Sequence, residues 1–540
     1  MKKATALILT AAMLAGLVSG CGGSAPAQES ESAPAQEKEE SAAVQAKEEV
    51  TEEVKEEAPA AQSKETAQQG GNGMSVGTAG NGGDTVLENV SYVLIYNPKI
   101  FDETNADTRY LTSLGTGDFS GQIITGIARA GLDEDVAPYT MSQRQLTEGL
   151  DLEGVDVSGA KAGGMAPIHS LGEEYDFFCC DDSMNRILQT FTCVYEGEHC
   201  YVWSAGDAVT EEGAKRLGTE FDSVIYPSDT EAFGQGRFTE NGGKVNILMY
   251  PMQGGLCGFF HLYDIFSSGE VPPGFARSRG FNLDHAIINI NSSMMDYNEK
   301  MVYATLAHEY QHQICASDKF GYSETPWMRT WLNEAMSAYA EELIYDDIMD
   351  AEYYNQLLYL SDSYRKGQSL YDFGVTSQDI GAYGAVCLFE RYLSKNSDEK
   401  VFSNIHDFWR NSYRGDISEA QAIYNSVTDD FKAYINGITF PDSVKAELSG
   451  EEEQWMSKMT LDFYLTTMDM DLAHLVGAED VARRYMLYTE INQQEIEGGG
   501  RMLVATENGS YAVPEDADKG LIYIGFDENF NTVTDLVTVE

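Results

Sequence analysis

Apolar side chains recur at every fourth position from Val302 through Leu306 and Tyr310 to Ile314, behind Asn298 and with no glycine or proline between. That period predicts a helix buried along one side, with Asn298 as its cap. A second helical stripe, Leu332, Met336, Tyr339 and Leu343, follows Thr325 and Pro326, a cap and a first-turn proline. Upstream the pattern shortens. Residues 200–203, 223–226, 245–250 and 286–290 are brief apolar runs that predict strands, whereas residues 301 to about 435 read as largely helical. Short alternating runs punctuated by glycine, such as residues 90–96, mark residues 85–200 as a β-rich module. Strand signals return at 502–505, 521–524 and 533–539, around an Asn508-Gly509 turn, and fit a small β cap or a ladder returning to the N-terminal module. The resulting fold class is α+β, a mixed-sheet lobe beside a helical lobe, flanked by β-rich N- and C-terminal modules.

The first 84 residues carry none of these periods. Lys2 and Lys3 precede an apolar stretch over 4–17, and Val18-Ser19-Gly20-Cys21 resembles a bacterial lipobox, cut before Cys21 with that thiol lipidated. The apolar stretch is too short for a mature transmembrane helix, which needs about 20 apolar residues. Residues 22–84 are rich in Ala, Glu, Gln, Pro and Ser and then Gly, with almost no large apolar side chains, and read as a disordered acidic tether. The expected location is therefore the bacterial cell envelope, outside the cytoplasm, with the membrane reached through the lipid alone.

Charge narrows the partners further. Of the 540 residues 87 are acidic and 35 basic, a formal net charge of −52, which argues against nucleic acid and anionic lipid as ligands. Acidic pairs such as Asp181-Asp182 and Asp346-Asp347 lack the loop spacing of a calcium site. Apart from Cys21 the cysteines form an odd, scattered set of Cys179, Cys180, Cys193, Cys200, Cys257, Cys315 and Cys387, which is no disulfide framework. Cys193 and Cys200 flank an expected hairpin within bridging reach, but no disulfide is predicted between them.

The chemistry lies in the two helical stripes. His308-Glu309-Tyr310-Gln311-His312 sets two imidazoles one turn apart on a helix face, where both can grip one ion with Glu309 beside the open position. Glu334, in Trp331-Leu332-Asn333-Glu334, is the natural third ligand. Three protein ligands leave a fourth place for water, whose pKa zinc lowers to about 7, an arrangement for hydrolysis rather than a structural clip.

These motifs resemble the gluzincin metallopeptidases, and the HEYQH and WLNE wording is most similar to the hyicolysin family. The resemblance spans residues 201 to about 435, including the runs at 244–250, 258–264 and 285–291. It implies a zincin-like domain with one catalytic Zn2+ on His308, His312 and Glu334, Glu309 as general base, and a Tyr or His donor to the developing oxyanion. Tyr383, at the head of an expected helix, is the candidate for that last role. One departure stands out. Thermolysin-like enzymes carry an aspartate four residues after the glutamate ligand, and here that position is Ala338; Glu341, two turns beyond Glu334, is the candidate to orient a histidine instead. The remaining histidines, His169, His199, His261, His285, His406 and His474, are isolated in sequence and receive no role.

The expected organisation is a leader over 1–21, a tether over 22–84, a β-rich module over 85–200, the zinc metallopeptidase domain over 201–437 and a β-containing region over 438–540. The expected function is a lipid-anchored zinc endopeptidase acting on peptide or protein substrates that lie extended beside a sheet edge. An aminopeptidase, or a non-catalytic surface lipoprotein that binds peptides or proteins on a zincin scaffold, is the alternative.

Overall fold

The computed structural model describes residues 86–100, 112–113, 121–127, 166–239, 242–252, 256–271, 273–296, 298–321, 328–345, 366–371, 381–411, 418–473, 486–490, 495–506, 508–514, 517–529 and 531–538. All belong to the unit Gln69–Glu540. Cys21, the leader and the tether lie outside the described residues, as do Thr325, Pro326 and His474.

The described chain opens with β1 (Val86–Glu88), β2 (Tyr92–Tyr96), β3 (Thr112–Ser113) and β4 (Gly121–Ile127). Every residue of β2 is buried, so it is a strand covered on both faces and reads as a continuous apolar run. Next come β5 (Glu174–Cys180), β6 (Arg186–Glu196) and β7 (Cys200–Ser204), then helices α1 (Glu211–Glu220) and α2 (Tyr226–Phe233), joined by a π-turn over Phe221–Ile225. The strand expected at 223–226 is thus helical. Thr210 Oγ1 accepts from the Gly213 amide at 3.0 Å to start the run. Leu217, Phe221 and Ile225 then fall at four-residue intervals, all buried, so helical period overrides the β preference of the local residues. Gly234 ends the run at φ +89°, a backbone conformation that suits glycine.

β8 (Val245–Tyr250), β9 (Gly258–Phe259), α3 (Pro273–Arg279) and β10 (Ala286–Asn291) lead to the two long helices, α4 (Glu299–Gly321) and α5 (Thr330–Tyr345). One sheet runs β5-β6-β7-β8-β10-β9, with β7, β8 and β10 parallel and the other neighbours antiparallel. Residues 174–196, expected in a separate N-terminal module, therefore share this sheet, and the division drawn after residue 200 falls within β7.

Asn298 Oδ1 accepts from the Met301 amide at 3.2 Å and caps α4 as expected. Val302, Leu306, Tyr310 and Ile314 are fully buried, but the helix runs on to Gly321, and its opposite face is buried too. α5 begins at Thr330 rather than at Thr325 and Pro326, and it is buried from Thr330 through Glu341. Leu343, expected in its buried stripe, is 46% exposed because the helix emerges from the core in its last turn.

Beyond these lie β11 (Lys366–Ser369), α6 (Gly381–Asn396), α7 (Val401–Asn411), α8 (Glu419–Ser426), α9 (Asp429–Gly437), α10 (Asp442–Ala446) and α11 (Glu451–Ala473). The tail then supplies β12 (Met486–Glu490), β13 (Glu495–Ile496), β14 (Gly500–Thr506), β15 (Ser510–Ala512) and β16 (Ile522–Phe526). A second sheet interleaves the two ends of the chain in the order β12-β4-β14-β2-β16, with β11 also on β14. This is the returning ladder, with Asn508 at φ +59° and Gly509 at φ +73° forming the turn expected there. The expected strand at 533–539 is reduced to isolated bridges at Thr532 and Val537. The architecture is mixed α+β. No helix among the described residues is long and apolar enough to cross a membrane. All seven cysteines from Cys179 to Cys387 are free and buried, so Cys193 and Cys200 do not bridge.

Candidate active site

α4 has no glycine or proline before its last residue and is packed against the core over most of its length, so several of its polar side chains are buried. Among those side chains are His308, Glu309 and His312, each at most 1% exposed. α5 packs against α4 and brings Glu334, fully buried, to the same point. One ligand atom from each of His308, His312 and Glu334 lies within 4.8 Å of the others. Glu334 Oε2 is 3.2 Å from His308 Nε2 and 3.6 Å from His312 Nε2.

The second nitrogen of each ring fixes what the first can do. His308 Nδ1 donates to Glu341 Oε1 at 2.5 Å, as foreseen from the seven-residue offset between the two glutamates. Ser337 Oγ donates to Gln311 Oε1 at 2.6 Å, which leaves it to accept from His312 Nδ1 at 3.1 Å. In neutral rings both Nε2 atoms therefore turn lone pairs toward a carboxylate oxygen. Three acceptors facing one point call for a cation, and two imidazoles with one carboxylate suit a borderline divalent metal. Ser337 escaped the sequence reading, although its offset of three from Glu334 places it on the same helix face.

Electrostatics agree with a site built for positive charge. Burial works to lower His308, yet hydrogen bonds to Glu334 and Glu341 outweigh it and push the imidazole well above its ordinary value. Burial likewise works to raise Glu334, but His312 and His308 hold it down at about 2. Glu309 behaves differently: burial raises it to about 7 against the pull of His308 and His312. Its Oε2 accepts from the Phe260 amide at 2.7 Å, while its Oε1 is buried without a protein partner. An orphaned, weakly acidic carboxyl oxygen beside a cation site is suited to exchanging a proton with a ligand that enters there.

The Phe260 contact depends on Gly258. A side chain there would meet Asn289 O at 2.8 Å and Thr305 Cγ2 at 2.9 Å, so only glycine lets β9 lie this close to β10 and α4. Asp264, fully buried, ties this segment down by accepting from Asn282 Nδ2 at 2.6 Å and from Arg186 Nη1 at 3.2 Å. β9 ends the sheet order next to β10, which leaves an edge beside Glu309. Asp229, fully buried on α2 with neither oxygen hydrogen bonded, lies within electrostatic range of His308, and burial raises it well above the carboxylate range. Nothing in its local sequence marks it. Tyr383 lies in α6, but its side chain is outside the described residues.

No protein-family model matches the chain. Over 223 residues, 39% of this chain and 49% of the other, it is 33% identical to the neutral metalloprotease ShpI of Staphylococcus hyicus, so it spans about half the length of that curated relative. The solved M60 catalytic domain of ZmpC from Clostridium perfringens, in complex with the sialyl T antigen, aligns with 64% of this chain and 68% of its own, at 14% identity and a TM-score of 0.26. The chain is thus similar to a curated metalloprotease over some two hundred residues.

Proposed function

We propose that this chain, similar over that stretch to a neutral metalloprotease, is a zinc-dependent endopeptidase tethered by lipid at Cys21 to the outer face of a bacterial membrane. The observation that carries the reading is the convergence of His308, His312 and Glu334 on one point, with the unpartnered Oε1 of Glu309 beside it. His308 Nε2, His312 Nε2 and the Glu334 carboxylate would hold the zinc, and Glu341 and Ser337 would orient the two rings. When bound, zinc supplies Lewis acidity toward the scissile carbonyl and toward water.

The chain's own groups do the rest. Glu309 Oε1 takes the proton of the attacking water and returns it to the leaving amine. The Phe260 amide fixes the carboxylate through Oε2, so the free oxygen points one way. An extended peptide adds to the edge at β9, where main-chain hydrogen bonds hold it irrespective of its sequence. Tyr383 donates to the oxyanion. A non-catalytic binding role is disfavoured, because a cation used only for shape needs no free carboxyl oxygen next to it.

The test is metal content together with cleavage of a peptide library by residues 85–540. Bound zinc with chelator-sensitive cleavage supports the reading, and bound zinc with no cleavage of any peptide contradicts it. The anchor has its own test: Cys21→Ser should release the protein from the membrane fraction, and an unchanged distribution would rule out lipidation at that thiol.

A further inference from the structure

His169 and His285 are 116 positions apart and isolated in sequence, yet their Nε2 atoms face each other at 3.1 Å. Both residues are buried, at 3% and 2% exposure. Their other nitrogens are committed. His169 Nδ1 donates to Glu173 Oε1 at 3.1 Å, and His285 Nδ1 donates to the Leu283 carbonyl at 2.6 Å. A carboxylate and a carbonyl can only accept, so in two neutral rings both Nε2 atoms present lone pairs to one another. Two buried lone pairs at that distance repel unless a cation lies between them.

The geometry points to a second metal site, a bis-histidine centre for a borderline divalent ion of the zinc, nickel or copper(II) class, with His169 Nε2 and His285 Nε2 as its protein ligands. Metal–nitrogen bonds of about 2.0–2.1 Å across the observed separation enclose an angle of roughly 100°, and because the rings, 22° apart in plane with centroids 5.3 Å apart, meet almost head-on, both must tilt toward an ion held beside the axis between them. The acceptors on Nδ1 are those that metal-bound histidines use, one a carboxylate and one a main-chain carbonyl. Glu173 also places a negative charge one ring away from the ion. Trp203, Tyr201 and Phe177 surround the His169 ring at separations of 4.9 to 6.3 Å, and Phe177 also lies 5.2 Å from the His285 ring. Asp284 holds a left-handed φ of +63°, uncommon for a side-chain-bearing residue, immediately before His285. The centre joins residue 169, ahead of β5, to the start of β10, and so pins the far strands of the sheet to the one that carries the active-site edge. Its ligands share no residue with the cluster on α4 and α5.

The experiment is zinc titration of the full chain, counted by elemental analysis after gel filtration in zinc-containing buffer. Two equivalents are expected for the parent and one for both His169→Gln and His285→Gln, with peptide cleavage retained in each. Glu173→Gln keeps both ligands and is exposed enough to fold, and it should weaken the second equivalent by about tenfold to a hundredfold. A single equivalent in the parent, meaning that the pair is bridged by a proton instead, would overturn the site. So would two equivalents surviving in both histidine variants, or a Glu173→Gln chain that binds the second ion as tightly as the parent.

Discussion

Glu341 is bonded to a histidine of the cluster without touching the point on which the cluster converges, so its removal separates orientation from ligation. Glu341→Gln should weaken metal binding by about tenfold to a hundredfold, measured by competition with a chelator, and Ser337→Ala should act in the same direction on His312. Equal affinity in both variants would mean that the rings are held by packing alone. At this scale much of the site was legible. His308, His312 and Glu334 come together, and Glu341 was found from the absence of an aspartate at Ala338, because helical geometry converts spacing into direction. Asp229, the Phe260 amide and the His169–His285 contact were not legible, because each depends on how separate strands and helices pack, which spacing along one element does not encode.

Helix and strand packing sets the next level. Gly258→Ala would drive a methyl group into Asn289 O and Thr305, displacing β9 and with it the amide on Glu309. Peptide cleavage should fall while metal content stays at the parent value, and unchanged kcat/KM would show that β9 does not position the general base. Trp331 anchors α5 through edge-on contacts with Tyr371 and Phe389 and is fully buried, so Trp331→Ala should cost about 3–5 kcal/mol by denaturant unfolding. Elements with a strong period were read well: residues 245–250 form β8 with the expected bounds, and α4 starts at its expected cap. The failures have a common physical form. Residues 223–226 looked like a strand because a short apolar run carries no period of its own, and the 23-residue helix α11 escaped notice within a region read as β-containing.

For the whole molecule, the two ends of the chain support each other. β2 pairs with both β14 and β16, and its Val93, Leu94, Ile95 and Tyr96 are fully buried. Removing residues 486–540 would strip both neighbours from β2, so the truncated chain should aggregate rather than melt cooperatively, and a preserved unfolding transition would contradict the interleaved sheet. Acid should weaken the same fold. Burial lowers the His261 imidazole well below its ordinary value. The unfolded chain protonates this group near pH 6.5, at about the ordinary histidine value, so below about pH 6.5 it binds more protons than the folded one. Stability is therefore complete above about pH 6.5 and falls as pH drops below it; the Tm at pH 5 should lie below that at pH 7.5, and equal values would contradict the burial of this ring.

The most direct test of the central claim is peptide cleavage and metal content of Glu309→Gln beside the parent chain. Glutamine keeps the size of the side chain and an oxygen for the Phe260 amide, but it has no proton-accepting carboxylate. The account expects unchanged metal content with cleavage reduced by about a hundredfold to ten-thousandfold. Cleavage at the parent rate with metal bound would show that Glu309 is not the base and that the cluster on α4 and α5 works by another route.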